Sequence, residues 1–291
     1  MITTDFLRHL DRLAVIINKQ VTSEYVGDRI TQEQGEGLIF KDYVIYSPGD
    51  DFRAVDWKVF ARTDKLFSKR YEEERNLTVH VILDHSGSMN YGSKKMKKSE
   101  FASMVAIGFC YMALKNNERF VLSTFSDKLR VFPARRGKRQ LMMLLDDLNK
   151  KEATGDSKFE ESLIKYRNLI NSKSFVVIVS DFLYPPEEIQ RIIHRFRKHD
   201  LRLIQVLDPV EKDLNIEGDY KLQDLESKGF LRTYVSPWLR KRYKDNMESH
   251  QAKITRACDE VGGKFYGFKT DEEIFDVFYQ ILQHGHGKHM G

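Results

Sequence analysis

From residue 77 onward, short β-rich runs alternate with helical patterns, and this alternation constrains the fold more than any other feature. "LTVHVILD" (77–84), "RFVLSTFSD" (119–127), "SFVVIVSD" (174–181) and "LRLIQVLDP" (201–209) are apolar runs of strand length. Between them lie "SEFASMVAIGFCYMALKNN" (99–117), apolar on most faces, and "KRQLMMLLDDLNK" (138–150), "KFEESLIKYRNLI" (158–170) and "PPEEIQRIIHRFRKH" (185–199), which space apolar residues at i, i+3 and i+4. A short strand is expected at 128–133. A long helix follows Pro237 and stops at Gly262-Gly263, then comes a strand at 264–268 and a helix at 271–283. The implied fold class is α/β, a mostly parallel sheet covered by helices on both faces.

The first 76 residues break this rhythm. A helix is expected over about residues 5–20, then an aromatic, turn-rich stretch. It reads as a small N-terminal α+β subdomain whose last strand, 66–71, feeds toward the sheet. The expected organisation is therefore a subdomain at 1–76, an α/β domain at 77–283 and a flexible tail at 284–291.

The chain has 291 residues, of which 41% are hydrophobic and 31% charged, enough to bury a sizeable core. The longest uncharged run, residues 101–114, is 14 residues, short of the ~20 that span a bilayer. The N-terminus mixes charges into its apolar positions, unlike a signal peptide. No membrane insertion and a cytoplasmic location are the expectation. Cys110 and Cys258 sit in apolar helical patterns and read as buried thiols. The net charge of +5 is uneven, −2 over residues 1–76 and +7 over the rest. That is mild for a dedicated nucleic-acid binder.

Four of the strands end in aspartate: Asp84, Asp127, Asp181 and Asp208. In open α/β sheets, ligands bind beyond the carboxyl ends of the strands, where strand order reverses. Aspartate after a strand also caps turns, which is the plain reading of Asp127 and Asp208. Asp84 differs because "DHSGSM" adds Ser86 and Ser88. One carboxylate and two hydroxyls make an all-oxygen surface suited to Mg²⁺ or Mn²⁺. So few negative charges leave a cation electron-poor and ready to accept a carboxylate from outside. The alternative is that both serines only satisfy turn backbone.

"DHSGSM" resembles the metal-ion-dependent adhesion site of von Willebrand factor A domains, which opens with D-x-S-x-S. The block "YSPGDDFRAVDWKVFARTDKLFSKRYEEERNLTVHVILDHSGSM" (46–89) resembles the signature of the family known as domain of unknown function 58, a set of von Willebrand A-like proteins. The resemblance implies a von Willebrand A (Rossmann-like) domain with two further metal-facing loops. One would offer Ser157, with Thr154 as a shifted alternative. Ser157 with Glu160 is equally a helix capping box. The other would offer Asp181. The metal set so implied is Asp84, Ser86, Ser88, Ser157 and Asp181, with Mg²⁺ as the first choice of divalent cation and Mn²⁺ the second.

Lys94, Lys95, Lys97 and Lys98 follow the loop directly and are candidates to steer an acidic partner, or simply a solvated surface. A second basic group, Arg135, Arg136, Lys138 and Arg139, lacks interleaved aromatics. In "PGDDFRAVDW", Pro48-Gly49 is expected to turn, and the carboxylates to pair with Arg53 and Arg62 and fix the subdomain on the sheet. The family resemblance implies a non-enzymatic adaptor partnered with a MoxR-type AAA+ ATPase, presenting its metal to a client's carboxylate. Many family members carry N-terminal membrane helices; none is read here. The alternatives are a metal-dependent phosphoryl-transfer or hydrolytic enzyme, which needs a positioned base (His85 is the near-neutral group in the loop), and a nucleic-acid binder.

Overall fold

The computed structural model describes residues 6, 11, 38–47, 51–73, 78–94, 96–133, 137–223 and 229–283. Pro48, Gly49, Asp50, Lys95, Arg135, Arg136 and the tail 284–291 lie outside them. The chain divides into two compact units, Ser23–Asn76 and Met1–Thr22 with Leu77–Gly291.

In the smaller unit, β1 (Leu38–Ile45) pairs antiparallel with β2 (Phe67–Glu73), and a short 3-10 turn and helix α1 (Trp57–Thr63) connect them. The expected extension of the last strand toward the main sheet is corrected, because β2 closes a two-stranded sheet with β1. Asp51 and Asp56 of this block are caps, where pairing with Arg53 and Arg62 side chains was expected. Asp51 accepts the Arg53 backbone N–H at 2.9 Å. Asp56 caps α1 through Lys58 N–H at 2.9 Å and also accepts from the Tyr43 hydroxyl at 2.8 Å and pairs with Lys69 at 3.1 Å. The Tyr43 and Lys69 hydrogen bonds pull the Asp56 carboxyl down to a pKa of about 2.

The larger unit is a three-layer α/β domain. Its six strands run in the order β10-β7-β6-β3-β4-β5, all parallel except the β4–β5 pair. They are β3 (Thr78–Asp84), β4 (Arg119–Phe125), β5 (Leu129–Val131), β6 (Phe175–Ser180), β7 (Asp200–Leu207) and β10 (Lys264–Lys269). The helices are α2 (Lys98–Lys115), α3 (Lys138–Lys150), α4 (Phe159–Arg167), α5 (Pro186–Arg195), α6 (Pro209–Asp213), α7 (Pro237–Glu260) and α8 (Ile274–Gln283). A separate hairpin, β8 (Gly218–Gln223) and β9 (Phe230–Val235), precedes α7.

Strand alternation sends successive side chains to opposite faces. Val79, Val81, Leu83, Val177, Val179, Ile204 and Val206 pack with α2, α3 and α8. Ile82, Val176, Ile178, Leu201 and Leu203 pack with α4, α5 and α7. Helix α2 is buried on most faces, as its sequence demands. At Gly108 a Cβ would stand 2.0 Å from the Phe278 ring, so α2 and α8 approach as closely as they do only because that side chain is absent. Phe6 joins this core against Phe275, and Asp11 pairs with Lys115 at 2.5 Å and accepts the Tyr111 hydroxyl. Residues 6 and 11 thus group with the α/β domain.

Candidate functional site

The chain builds outward from β3 through β4 to β5, then returns to lay β6, β7 and β10 on the other side. Strand order therefore reverses between β3 and β6. Asp84 ends β3 and Asp181 follows β6, so the switch point brings together two of the four strand-end aspartates. Asp208 instead caps α6 through Val210 N–H and accepts from the Ser93 N–H and hydroxyl at 2.7 and 2.6 Å. Asp127 is exposed and accepts from the Ser126 hydroxyl.

Asp84 is fully buried and holds four hydrogen bonds. Its Oδ1 accepts from the Ser86 N–H at 3.0 Å and the Ser86 hydroxyl at 2.6 Å. Its Oδ2 accepts from Ser180 at 2.7 Å and Tyr184 at 2.6 Å. The Ser86 and Ser88 hydroxyls lie 3.1 Å apart. Burial, then the charge of Asp181, raises the Asp84 pKa to about 6, against the pull of the Ser86, Tyr184 and Ser180 hydrogen bonds.

The loop before α4 is stitched to this one through backbone. Gly87 N–H donates to Gly155 O at 2.8 Å and Thr154 N–H to His85 O at 3.1 Å. Gly155 has φ +87°, and a Cβ there would press to 3.3 Å on Asp127. Ser157 comes to the site through Tyr184, their hydroxyls 2.5 Å apart. The capping-box reading of Ser157 is corrected, because the residue at the helix N-cap is Lys158 and Glu160 pairs with Arg191. Thr154 is exposed.

Asp181 is nearly as buried as Asp84. The Lys98 ammonium lies 2.9 Å from its Oδ2 and 2.8 Å from Glu211 Oε1. Burial alone would push the Lys98 pKa down; Asp181 and Glu211 outweigh it and hold it above the ordinary value. The steering role expected of Lys98 is corrected, since a side chain with no exposed surface faces no partner. Lys94 pairs with Asp271 at 2.8 Å, and Lys97 donates to Asn90 at 2.9 Å.

Sequence reasoning missed Tyr184, Ser180 and the inward turn of Lys98. Tyr184 stacks on Phe159, with centroids 4.3 Å apart, and its hydroxyl bridges Asp84 and Ser157. Burial, then the charges of Asp84 and Asp181, keeps that hydroxyl protonated. Phe182, between Asp181 and Tyr184, is buried with φ +50°, a left-handed conformation that bulky residues rarely adopt. Such strain, about 1–3 kcal/mol, persists only where surroundings enforce it. Both ring nitrogens of His85 are buried without a hydrogen-bond partner among the described residues, and burial holds its pKa below the ordinary value against the opposing charge of Asp147.

The D-x-S-x-S loop, the Gly155–Ser157 loop and Asp181 thus meet at one point beyond the sheet. A family model described as "Protein of unknown function DUF58" matches residues 42–253. The chain belongs to this family. A relative described as uncharacterized, Rv1480 of Mycobacterium tuberculosis, is 25% identical over 270 residues, covering 91% of this chain and 84% of the relative. Among solved structures, BatB from Bacteroides thetaiotaomicron is similar with a TM-score of 0.46 and 12% identity, covering 72% of this chain and 98% of BatB. An aerotolerance-related membrane protein from Bacteroides fragilis is similar with a TM-score of 0.44 and 12% identity, covering 72% and 99%. The expectation of a cytoplasmic protein is corrected on this point: a neighbour of like fold is described as a membrane protein. Among the described residues no helix is long and apolar enough to cross a membrane.

The donor set fits a hard cation. Two buried carboxylates stand close enough to feel one another's charge, and hydroxyls fill the remaining positions. Among the described residues no group of three or more His, Cys, Asp or Glu converges, so a cation here would rest on two carboxylates and hydroxyls.

Proposed function

We propose that this DUF58 protein is a binding module that presents a divalent cation, Mg²⁺ first and Mn²⁺ second, to a carboxylate of another protein. Asp84, Ser86, Ser88, Ser157 and Asp181 would hold the ion. When bound, it supplies an electron-poor centre with room for an external acidic ligand. The observation that carries this reading is the convergence of all three loops on the Asp84 hydrogen-bond network.

The residues divide the work. Asp84 orients the Ser86 hydroxyl, and through it Ser88. Lys98 cancels one of the two negative charges and fixes the Asp181 carboxylate. Tyr184 holds Ser157 in register with Asp84. A binding role is favoured over catalysis because His85, the near-neutral group of the loop, has no hydrogen bond to any of these residues among those described. The resemblance of residues 46–89 supports a MoxR-type AAA+ ATPase as the partner, with this chain as adaptor to its client.

The test is affinity capture in Mg²⁺ and in EDTA with wild type and Ser88→Ala. Ser88 makes a single hydroxyl contact at 3.1 Å, so its loss spares the fold better than Asp84→Ala, which would strand four donors. An AAA+ ATPase retained by wild type only in Mg²⁺, and lost with Ser88→Ala, is the expected result. Equal retention in EDTA contradicts it.

A further inference from the structure

We propose that the outer face of the β8–β9 hairpin, with the start of α7, is a second docking surface, and that it takes an acidic segment of a partner protein. The register sets Lys221 directly opposite Arg232 and Asp219 opposite Tyr234, and Phe230, two residues before Arg232, shares their face. Phe230 and Tyr234 are 60% and 59% exposed, and Trp238 at the head of α7 is 66% exposed.

Two features point outward. Like charges directly opposite on antiparallel strands are destabilising. Among the described residues no carboxylate pairs with either Lys221 or Arg232. A partner's carboxylate placed between the two cations would relieve their repulsion. The second feature is charge: residues 218–244 hold seven Lys and Arg against three Asp and Glu, on a chain whose whole net charge is +5. An acidic segment would supply the missing counter-charge and cover the exposed rings.

Basic residues among aromatics also suit single-stranded nucleic acid, where bases stack on ring faces. Here those faces are taken. The Lys221 ammonium sits 4.0 Å above the Phe230 ring, and the Arg242 guanidinium 5.3 Å from the centre of Trp238. Asp219, on the same face, interrupts the row of cations, so the face does not form the continuous basic track that a regular phosphate backbone needs. The surface offers cations backed by rings, which suits carboxylates on a protein segment.

The test uses a fluorescein-labelled peptide of alternating glutamate and leucine, read by anisotropy in EDTA, with oligothymidylate as competitor. Wild type and Ser88→Ala should bind the peptide alike, because this surface is independent of the hydroxyl–carboxylate loops. Lys221→Glu with Arg232→Glu should weaken binding by about tenfold or more. Arg232→Lys, which keeps the charge, should stay near wild type. Unfolding midpoints of the variants, matched to wild type, exclude a folding defect. Absence of peptide binding, tighter binding of oligothymidylate, or indifference to charge reversal would each overturn the proposal.

Discussion

Lys98→Met tests the electrostatics of the site most severely. The ammonium has no exposed surface and serves two carboxylates, Asp181 at 2.9 Å and Glu211 at 2.8 Å. The Asp181 side chain is 3% exposed and cannot turn to water; that of Glu211 is 23% exposed and can do so in part. Methionine fills much the same volume, so the loss is that of a buried counter-charge. Breaking a buried pair by removing one partner costs about 3–5 kcal/mol. We expect Lys98→Met to lose that amount in urea unfolding at neutral pH in EDTA. Adding Asp181→Asn should recover at least half of it, because the stranded charge then disappears. Mg²⁺ should also restore part of it, since a cation beside Asp181 would replace the ammonium. A Lys98→Met protein within ~1 kcal/mol of wild type, or no recovery on adding Asp181→Asn, would refute the assignment of Lys98 as the internal counter-ion.

Tyr184→Phe removes a hydroxyl bound to Asp84 at 2.6 Å and should cost about 1.5–3 kcal/mol in EDTA, as measured by chemical unfolding. The same variant should bind Mg²⁺ more weakly in calorimetry, because Ser157 is no longer held in register with Asp84; unchanged affinity would contradict the positioning role of Tyr184. His80, bonded to Tyr166 at 2.8 Å, is held neutral by burial with a pKa of about 4 against an ordinary 6.5. Between those values the unfolded chain binds more protons than the folded one, so this group's contribution is lost as pH falls from 6.5 toward 4. Asp84 slopes the other way below about 6, so the comparison of wild type with His80→Gln isolates the histidine, and the variant's stability should fall less steeply on acidification. Gly108→Ala should lower stability by about 1–3 kcal/mol through its collision with Phe278; a neutral effect in thermal unfolding would mean that α2 and α8 separate freely.

Much of this architecture is legible in the sequence because burial on both sheet faces leaves a plain signature. The runs at 77–84 and 174–181 are dominated by Val, Ile, Leu and Phe, as strands of a sheet covered on both faces demand. Asp84 stands out from Asp127 and Asp208 by its two serines, and Asp181 by the von Willebrand A resemblance. What stayed hidden depends on side-chain direction. In "YGSKKMKKSE" nothing distinguishes Lys98 from Lys94, yet one is the internal cation and the other lies on the surface. The difference arises because Lys98 opens helix α2, whose faces are mostly buried, above the carboxyl end of β6. Tyr184 escaped notice because its role needs three loops at once, although a hydroxyl at each of Ser180 and Tyr184, flanking Asp181, was a usable signal. The segment 210–235 suggested no element. Its hairpin alternates Phe230, Arg232 and Tyr234 outward, a polar-aromatic pattern that period-2 hydrophobicity does not detect. The strand expected at 66–71 pairs with β1 rather than with a strand of the main sheet.

The central claim is that Asp84, Ser86, Ser88, Ser157 and Asp181 form one cation site. Isothermal titration of Mg²⁺ into the chelator-stripped protein, with wild type beside a Ser86→Ala, Ser88→Ala double variant, tests it most directly. The account predicts a single saturable binding event in wild type, absent from a variant that still unfolds cooperatively. No saturable heat in wild type, or the same isotherm in both proteins, would contradict it.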